Sequence, residues 1–176
     1  CPCDLAQPQG PEEIFRFTQQ KGLHVDILIN NAGFGAYGEF HKIGRERLLE
    51  MVQVNVASVI HLTHLFVPTM VARGTGYVMI VSSTAAFQPV PYLSTYGATK
   101  GFDMLFAGSL AEELRSYGVR VCCLCPGSTA TEFHQVAGRD VAGRRESAEK
   151  VARVGLRALA AGKPLGEVES VKATSE

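Results

Sequence analysis

The chain has 176 residues, 46% of them hydrophobic and 19% charged, with 17 basic side chains against 17 acidic ones. That composition fits one globular domain and excludes a disordered chain. A formal net charge of zero and the lack of any basic run exclude a surface that tracks a phosphate backbone, so nucleic acid is not an expected partner.

The chain opens Cys1-Pro2-Cys3-Asp4, without the basic-then-apolar order of a secretory signal. Pro11 followed by Glu12 and Glu13 predicts a helix over 11–21, stopped by Gly22. Residues 25–29 form a short β-branched run that ends at Asn30-Asn31-Ala32-Gly33. A long helix is predicted over 45–73, apolar around most of its circumference and so covered on both sides. Its longest apolar stretch, 52–70, contains Gln53, Asn55, His61 and His64, and no membrane span is expected. A second strand is predicted at 77–81, a helix at 95–117 closed by Gly118, and a third strand at 119–125 stopped by Pro126-Gly127. A last helix covers 147–161. Near-continuous apolar strands alternating with helices imply an α/β fold, with a parallel sheet covered on both faces.

The five cysteines are Cys1, Cys3, Cys122, Cys123 and Cys125. An odd count at these spacings is no disulfide framework, and no His stands at zinc-ligand spacing nearby, so no metal is expected. The thiols read as small apolar fillers of a strand, and reduced thiols fit a cytoplasmic location. Gly33-Phe34-Gly35-Ala36-Tyr37-Gly38 spells G-x-G-x-x-G after a strand. A dinucleotide turn must open directly into a helix, whereas five residues intervene here, so the pattern reads as a strand-end loop.

Tyr96-Gly97-Ala98-Thr99-Lys100 carries the strongest chemical signal. Four residues apart on a helix, Tyr96 and Lys100 project from one face, where the ammonium is expected to pull the phenol pKa down into acid–base range. Ser82-Ser83, Asn30 to Gly33 and Pro126-Gly127 each end a strand, and ligands in open α/β sheets bind at those ends. Asn55 interrupts an apolar helix, where a buried amide needs a partner or a water.

On Asn30-Asn31-Ala32-Gly33, Asn55, Ser83, Tyr96-x-x-x-Lys100 and Pro126-Gly127-x-x-x-Thr131, the sequence resembles the short-chain dehydrogenase/reductase family over nearly its whole length. Ser83 precedes Tyr96 by the family's thirteen residues, which sets Tyr92 aside. The resemblance implies a Rossmann-like doubly wound parallel sheet and an NAD or NADP cofactor. It implies that Tyr96 moves a proton at the substrate oxygen, Ser83 orients that oxygen, and Lys100 holds the nicotinamide ribose. Asn55 would hold a water in a proton relay. Asn31, Ala32 and Gly33 would line the cofactor ribose, and Pro126, Gly127, Thr129 and Thr131 would follow the nicotinamide and phosphates. Asp4-Leu5 resembles the acidic pair beside the adenine, although a helix-preceding Asp reads equally well.

The chain departs from the family at both ends. The first two strands and the glycine-rich turn have no counterpart, so residues 1–166 read as a partial Rossmann-type domain, and a fragment of a longer protein is expected. After Pro164 the sequence is polar and strand-poor, and 167–176 reads as a disordered tail. The leading expectation is an NAD(P)-dependent oxidoreductase interconverting a carbonyl and a secondary alcohol, its small-molecule substrate held by residues 84–93 and 134–147. The alternative is a non-catalytic binding or regulatory protein on the same fold. The resemblance also implies a homodimer or homotetramer in the full-length form, through the two long helices.

Overall fold

The computed structural model of the chain describes residues 1–138 and 145–167. Helix α1 (Gly10–Gln20) carries Pro11, Glu12 and Glu13 in its first turn, where a missing N–H and negative charge both suit a helix start. Strand β1 (Ile27–Asn30) follows. Helices α2 (Arg45–Val52) and α3 (Ser58–Arg73) are joined by a π-helical turn, Gln53–Ala57. Then come β2 (Gly76–Val81), α4 (Ser94–Leu114) and β3 (Val119–Cys125). A two-residue strand β4 (Thr129–Ala130), a short α5 (Phe133–Val136) and β5 (Glu146–Ser147) lead to α6 (Ala148–Ala160) and β6 (Leu165–Glu167).

The main sheet has the order β1-β2-β3-β6, with every pairing parallel. Strands β4 and β5 form a separate parallel pair. One face of the sheet packs on α1, α3 and α4 through Val78, Ile80, Val121, Cys123 and Phe66. The other face packs on α6 through Met79, Cys122, Leu124, Val151 and Leu159. Cys122, Cys123 and Cys125 thus lie buried within β3, as small fillers on its two faces.

Three sequence expectations need correction. Strand β1 is covered on one face only: Leu28 and Asn30 are buried, while Ile27 and Ile29 on the opposite face are about half exposed. The run 45–73 is not a uniform α-helix, because the π turn widens it around Asn55. It is also long and apolar enough, by length and composition, to cross a membrane, but Val59, Phe66 and Met70 pack it onto the sheet. Finally, the polar stretch after Pro164 does form a strand. Cys123 to Cys125 of β3 pair with Leu165 to Glu167, because an unpaired strand edge offers hydrogen bonds that outweigh weak propensity. Residues 168–176, which carry the rest of the expected tail, lie outside the described residues.

At the end of the sheet opposite the strand termini, Gly74 closes α3 with φ 69° and Gly118 precedes β3 with φ 74°. A Cβ at Gly118 would fall 2.2 Å from the Gly74 carbonyl oxygen. Only glycine tolerates both that conformation and that backbone approach.

Candidate active site

The carboxyl ends of β1, β2 and β3 and the first two turns of α4 border one cleft of about 930 Å³. Asn31 and Gly33 enter it from β1, Ser83 from β2, and Pro126 and Gly127 from β3. Tyr96 and Lys100 form its α4 wall, with Thr129 and Thr131 farther along. The parallel topology produces this convergence, since it points every strand end the same way.

Lys100 is the best-fixed side chain in the cleft. Its Nζ donates to the Val81 carbonyl at 2.8 Å and to Asp103 Oδ2 at 2.8 Å. The Ser82 hydroxyl donates to the Lys100 carbonyl at 2.7 Å, tying α4 to the end of β2. Tyr96 is buried, with Phe133 packed on its ring at a centroid distance of 5.0 Å, and it lines the cleft together with Ser83. Ser83 Oγ also accepts the Ala85 N–H at 3.2 Å.

The electrostatics differ from the sequence expectation. Burial pushes the Tyr96 phenol up to about 12, with the Ser83 hydrogen bond pulling down and the Asp103 carboxylate pushing up. The Lys100 ammonium is bonded to Asp103 and Val81 and stands 5.9 Å from the Tyr96 ring centroid. Asp103 itself is raised by burial and pulled back by the Lys100 charge and hydrogen bond.

Asn55 is fully buried in the π turn. Its Oδ1 accepts the Phe34 N–H at 3.1 Å, and its Nδ2 donates to the Phe34 carbonyl at 2.9 Å and to Thr99 Oγ1 at 3.1 Å. The amide therefore clamps the strand-end loop to α4. Both of its hydrogens are engaged, which leaves the second Oδ1 lone pair for a water.

Comparison with known proteins agrees with this geometry. A family model described as short chain dehydrogenase matches residues 1–142. The chain belongs to the short-chain dehydrogenase family. It is 38% identical over 146 residues to "Dehydrogenase/reductase SDR family member 4" of Bos taurus, covering 82% of this chain and 52% of that protein. It is 33% identical over 129 residues to "Uncharacterized oxidoreductase YvaG" of Bacillus subtilis (strain 168), covering 73% of this chain and 47% of that protein. The chain thus spans about half the length of these curated relatives. Among solved structures, a short-chain dehydrogenase from Sphingobium yanoikuyae in complex with NADPH superposes with a TM-score of 0.87 at 26% identity, over 94% of this chain and 65% of that one. A putative NAD(P)-dependent gluconate 5-dehydrogenase from Beutenbergia cavernae, with bound NADP, gives 0.77 at 27% identity, over 94% and 71%.

Within this short-chain dehydrogenase fold, some expected residues stand apart. Leu5 and Ala32 line a smaller neighbouring groove of about 290 Å³, which shares Ile29 and Asn31 with the cleft. Asp4 borders neither; its Oδ1 accepts the Ala6 N–H at 2.9 Å in a local turn, and the N-cap of α1 is Gln9. The G-x-G-x-x-G stretch forms a loop leading to a 3₁₀ turn at Phe40–Lys42, as the spacing implied. Of the expected substrate segments, Thr84, Ala85, Gln88, Val90, Leu93, His134 and Val136 reach the cleft; residues 139–144 lie outside the described residues. Among the described residues, no cluster of three His, Cys, Asp or Glu is placed to hold a metal ion.

The sequence reading missed Asp103, Thr99 and Phe133. Asp103 stands three residues beyond Lys100, a spacing that marks helix neighbours, and that signal was present. Thr99 donates to the Tyr96 carbonyl at 2.8 Å while accepting from Asn55. Nothing in the spacing of Phe133 pointed to Tyr96, because a loop brings the two together.

Proposed function

We propose that this chain supplies the acid–base groups and the nicotinamide side of an NAD(P)-dependent oxidoreductase that interconverts a carbonyl and a secondary alcohol. The observation that carries the reading is the buried Tyr96 phenol sharing one cleft with Ser83 and Lys100 at the mouth of three strand ends. NADPH in the Sphingobium structure and NADP in the Beutenbergia one support the cofactor class.

The cleft residues fit the nicotinamide-ribose end of such a cofactor. A Cβ at Gly33 would lie 3.1 Å from Asn55 Oδ1 and 3.6 Å from Lys100 Nζ, so glycine there keeps open the space over Lys100. An ammonium has three hydrogens; Val81 and Asp103 take two, and the third remains for a ribose hydroxyl. Asn31, Gly33, Thr129 and Thr131 would hold the rest of that half, with Ala32, Pro126 and Gly127 as its walls. When bound, the nicotinamide supplies or accepts the hydride.

The chain's own part is proton transfer. A phenol that keeps its proton at neutral pH donates it to the oxygen of a bound carbonyl, and takes one back from an alcohol in the reverse direction. Ser83 hydrogen-bonds that oxygen beside Tyr96. Met79, Val81, Leu93 and Phe133 shield the site from water, which strengthens these polar contacts. Exposed Leu49, Ile60 and Leu105 on the long helices support a homo-oligomer, and the free thiols support a cytoplasmic setting.

Tyr96→Phe tests the reading. Assayed against a panel of ketones with NADH and NADPH, it is expected to lose about 10²- to 10⁴-fold in kcat while dinucleotide binding is retained. Turnover at the unsubstituted rate, or unsubstituted protein that binds dinucleotide without reducing any ketone, would favour the binding-protein alternative.

A further inference from the structure

The glycines of the loop Gly33-Phe34-Gly35-Ala36-Tyr37-Gly38 open no α-helix, yet the middle one is buried. A Cβ at Gly35 would lie 3.0 Å from Phe133 Cζ and 3.5 Å from the Ala137 Cβ, so the missing side chain is a notch filled by the tip of the Phe133 ring. A methyl group there would press on the ring, and overpacking of this kind is relieved only by moving a neighbour. The end of α5 is anchored to the same loop, since the Tyr37 N–H donates to the Ala137 carbonyl at 2.8 Å. The loop in turn is held from several sides. Asn55 bonds both backbone groups of Phe34, and the Arg47 guanidinium lies 3.8 Å from the Phe34 ring centroid. The Gly38 N–H donates to the Tyr92 carbonyl at 2.9 Å, which ties the loop to the segment before α4.

Phe133 thus meets Gly35 at its tip and the Tyr96 ring at a centroid distance of 5.0 Å. Phe34, Val90 and Leu93 complete an apolar cluster around the phenol. Apart from His134, the charged side chains among the described residues lining the cleft are Lys100 and Glu132, and the lysine is already paired with Asp103. An uncharged carbonyl compound suits such a lining better than an anion, whose desolvation would go uncompensated.

We propose that Gly35 and Phe133 act together as specificity-determining residues. The notch holds the ring against Tyr96, and the ring limits the group on that side of the carbonyl, so that the site takes uncharged ketones with one small and one larger apolar group. This rests on the acid–base reading of Tyr96, which places the carbonyl beside that phenol.

The test is a ligand-observed NMR titration with acetophenone, propiophenone and isobutyrophenone, in the presence of NADP⁺, which cannot reduce them. The three ketones share a phenyl group and grow by single carbons on the other side of the carbonyl. The unsubstituted protein is expected to bind acetophenone best. One methylene in an apolar pocket changes recognition by about tenfold or more, so Phe133→Ala should improve isobutyrophenone relative to acetophenone by about tenfold. Gly35→Ala should act in the opposite sense, by a few-fold, and should do nothing once Phe133 is replaced by Ala, because both effects pass through one ring. A ring that merely held α5 in place would leave the ranking unmoved. An unchanged ranking in Phe133→Ala, an equal effect of Gly35→Ala in both backgrounds, or no binding of any of the ketones overturns the proposal. Should Phe133→Ala fail to fold, Phe133→Leu keeps an apolar side chain in the notch and should move the ranking the same way by a few-fold; an unmoved ranking there overturns the proposal equally. Binding needs no hydride transfer. A ranking that moves in a protein without turnover would sink the oxidoreductase reading and leave the wall standing, while turnover with a fixed ranking would do the reverse.

Discussion

Strands β2 and β3 and strand β1 are neighbours in one sheet, yet they live in different media. On β2, Val78 and Ile80 are fully buried against α3 and α4 while Met79 is buried beneath α6. On β1 the inner face is buried, whereas Ile27 and Ile29 are 50% and 47% exposed. The chemistry follows the burial. Lys100, Asp103, Asn55 and Tyr96 all gather at the enclosed part of the sheet, where low local polarity makes each hydrogen bond and charge count for more. The open face of β1 offers apolar surface in Ile27 and Ile29. The proton-handling side of the site thus lies in the enclosed region, and the surface next to Ile29 is an open apolar wall.

The largest expected break between the two regions is in core substitutions. Ile80→Ala should destabilise by about 2–5 kcal/mol through a cavity that its neighbours cannot close. Ile29→Ala, already half in water, should cost under about 1 kcal/mol by the same area argument. Urea unfolding of both variants checks the contrast, and equal losses would mean that β1 is covered in solution.

The next effect depends on pH. The folded state holds the Tyr96 proton until about 12, whereas an ordinary phenol gives it up near 10. Between those values the unfolded chain binds fewer protons, so stability falls as pH rises, by about 3 kcal/mol in total. The contribution is fully present below pH 10 and gone above 12. Unfolding followed at pH 9 and at pH 12 in parallel with Tyr96→Phe isolates it, since the variant should lack that part of the slope; identical slopes would contradict the burial of the phenol. Smaller still is Asn55→Ala, which strands the Phe34 backbone and should lower stability by about 1–3 kcal/mol. An unchanged denaturation midpoint would show that water replaces the amide.

Much of this arrangement was legible in the sequence, and for identifiable reasons. β3 matched its predicted span at Val119–Cys125 because an apolar run ended by Pro126-Gly127 leaves little freedom. Tyr96, Lys100 and Ser83 were found from helix spacing and a strand end, two signals that local chemistry fixes. Asp103 was overlooked because an acid on a helix usually faces water, and only the tertiary contact with Lys100 shows otherwise. The π turn left no trace, since its residues keep helical dihedrals and only the hydrogen-bond span changes. The bare face of β1 was illegible for another reason: Ile27 and Ile29 look like core residues whether or not anything covers them. Strand β6 was missed because its three residues owe their conformation to the edge of β3.

The meeting of Gly74 and Gly118 acts as a datum for the whole cleft. Backbone touches backbone there, so the start of β2 and the start of β3 are indexed to each other, with Gly76 opposite Val119. Six residues later that alignment delivers Ser82 and Ser83 to α4. An insertion of one residue in either turn would slide a strand by about 3.3 Å, more than a 2.7 Å hydrogen bond such as that from Ser82 to Lys100 could follow. The reach of the chemical groups is therefore metered at the far end of the molecule, by two residues that have no side chains.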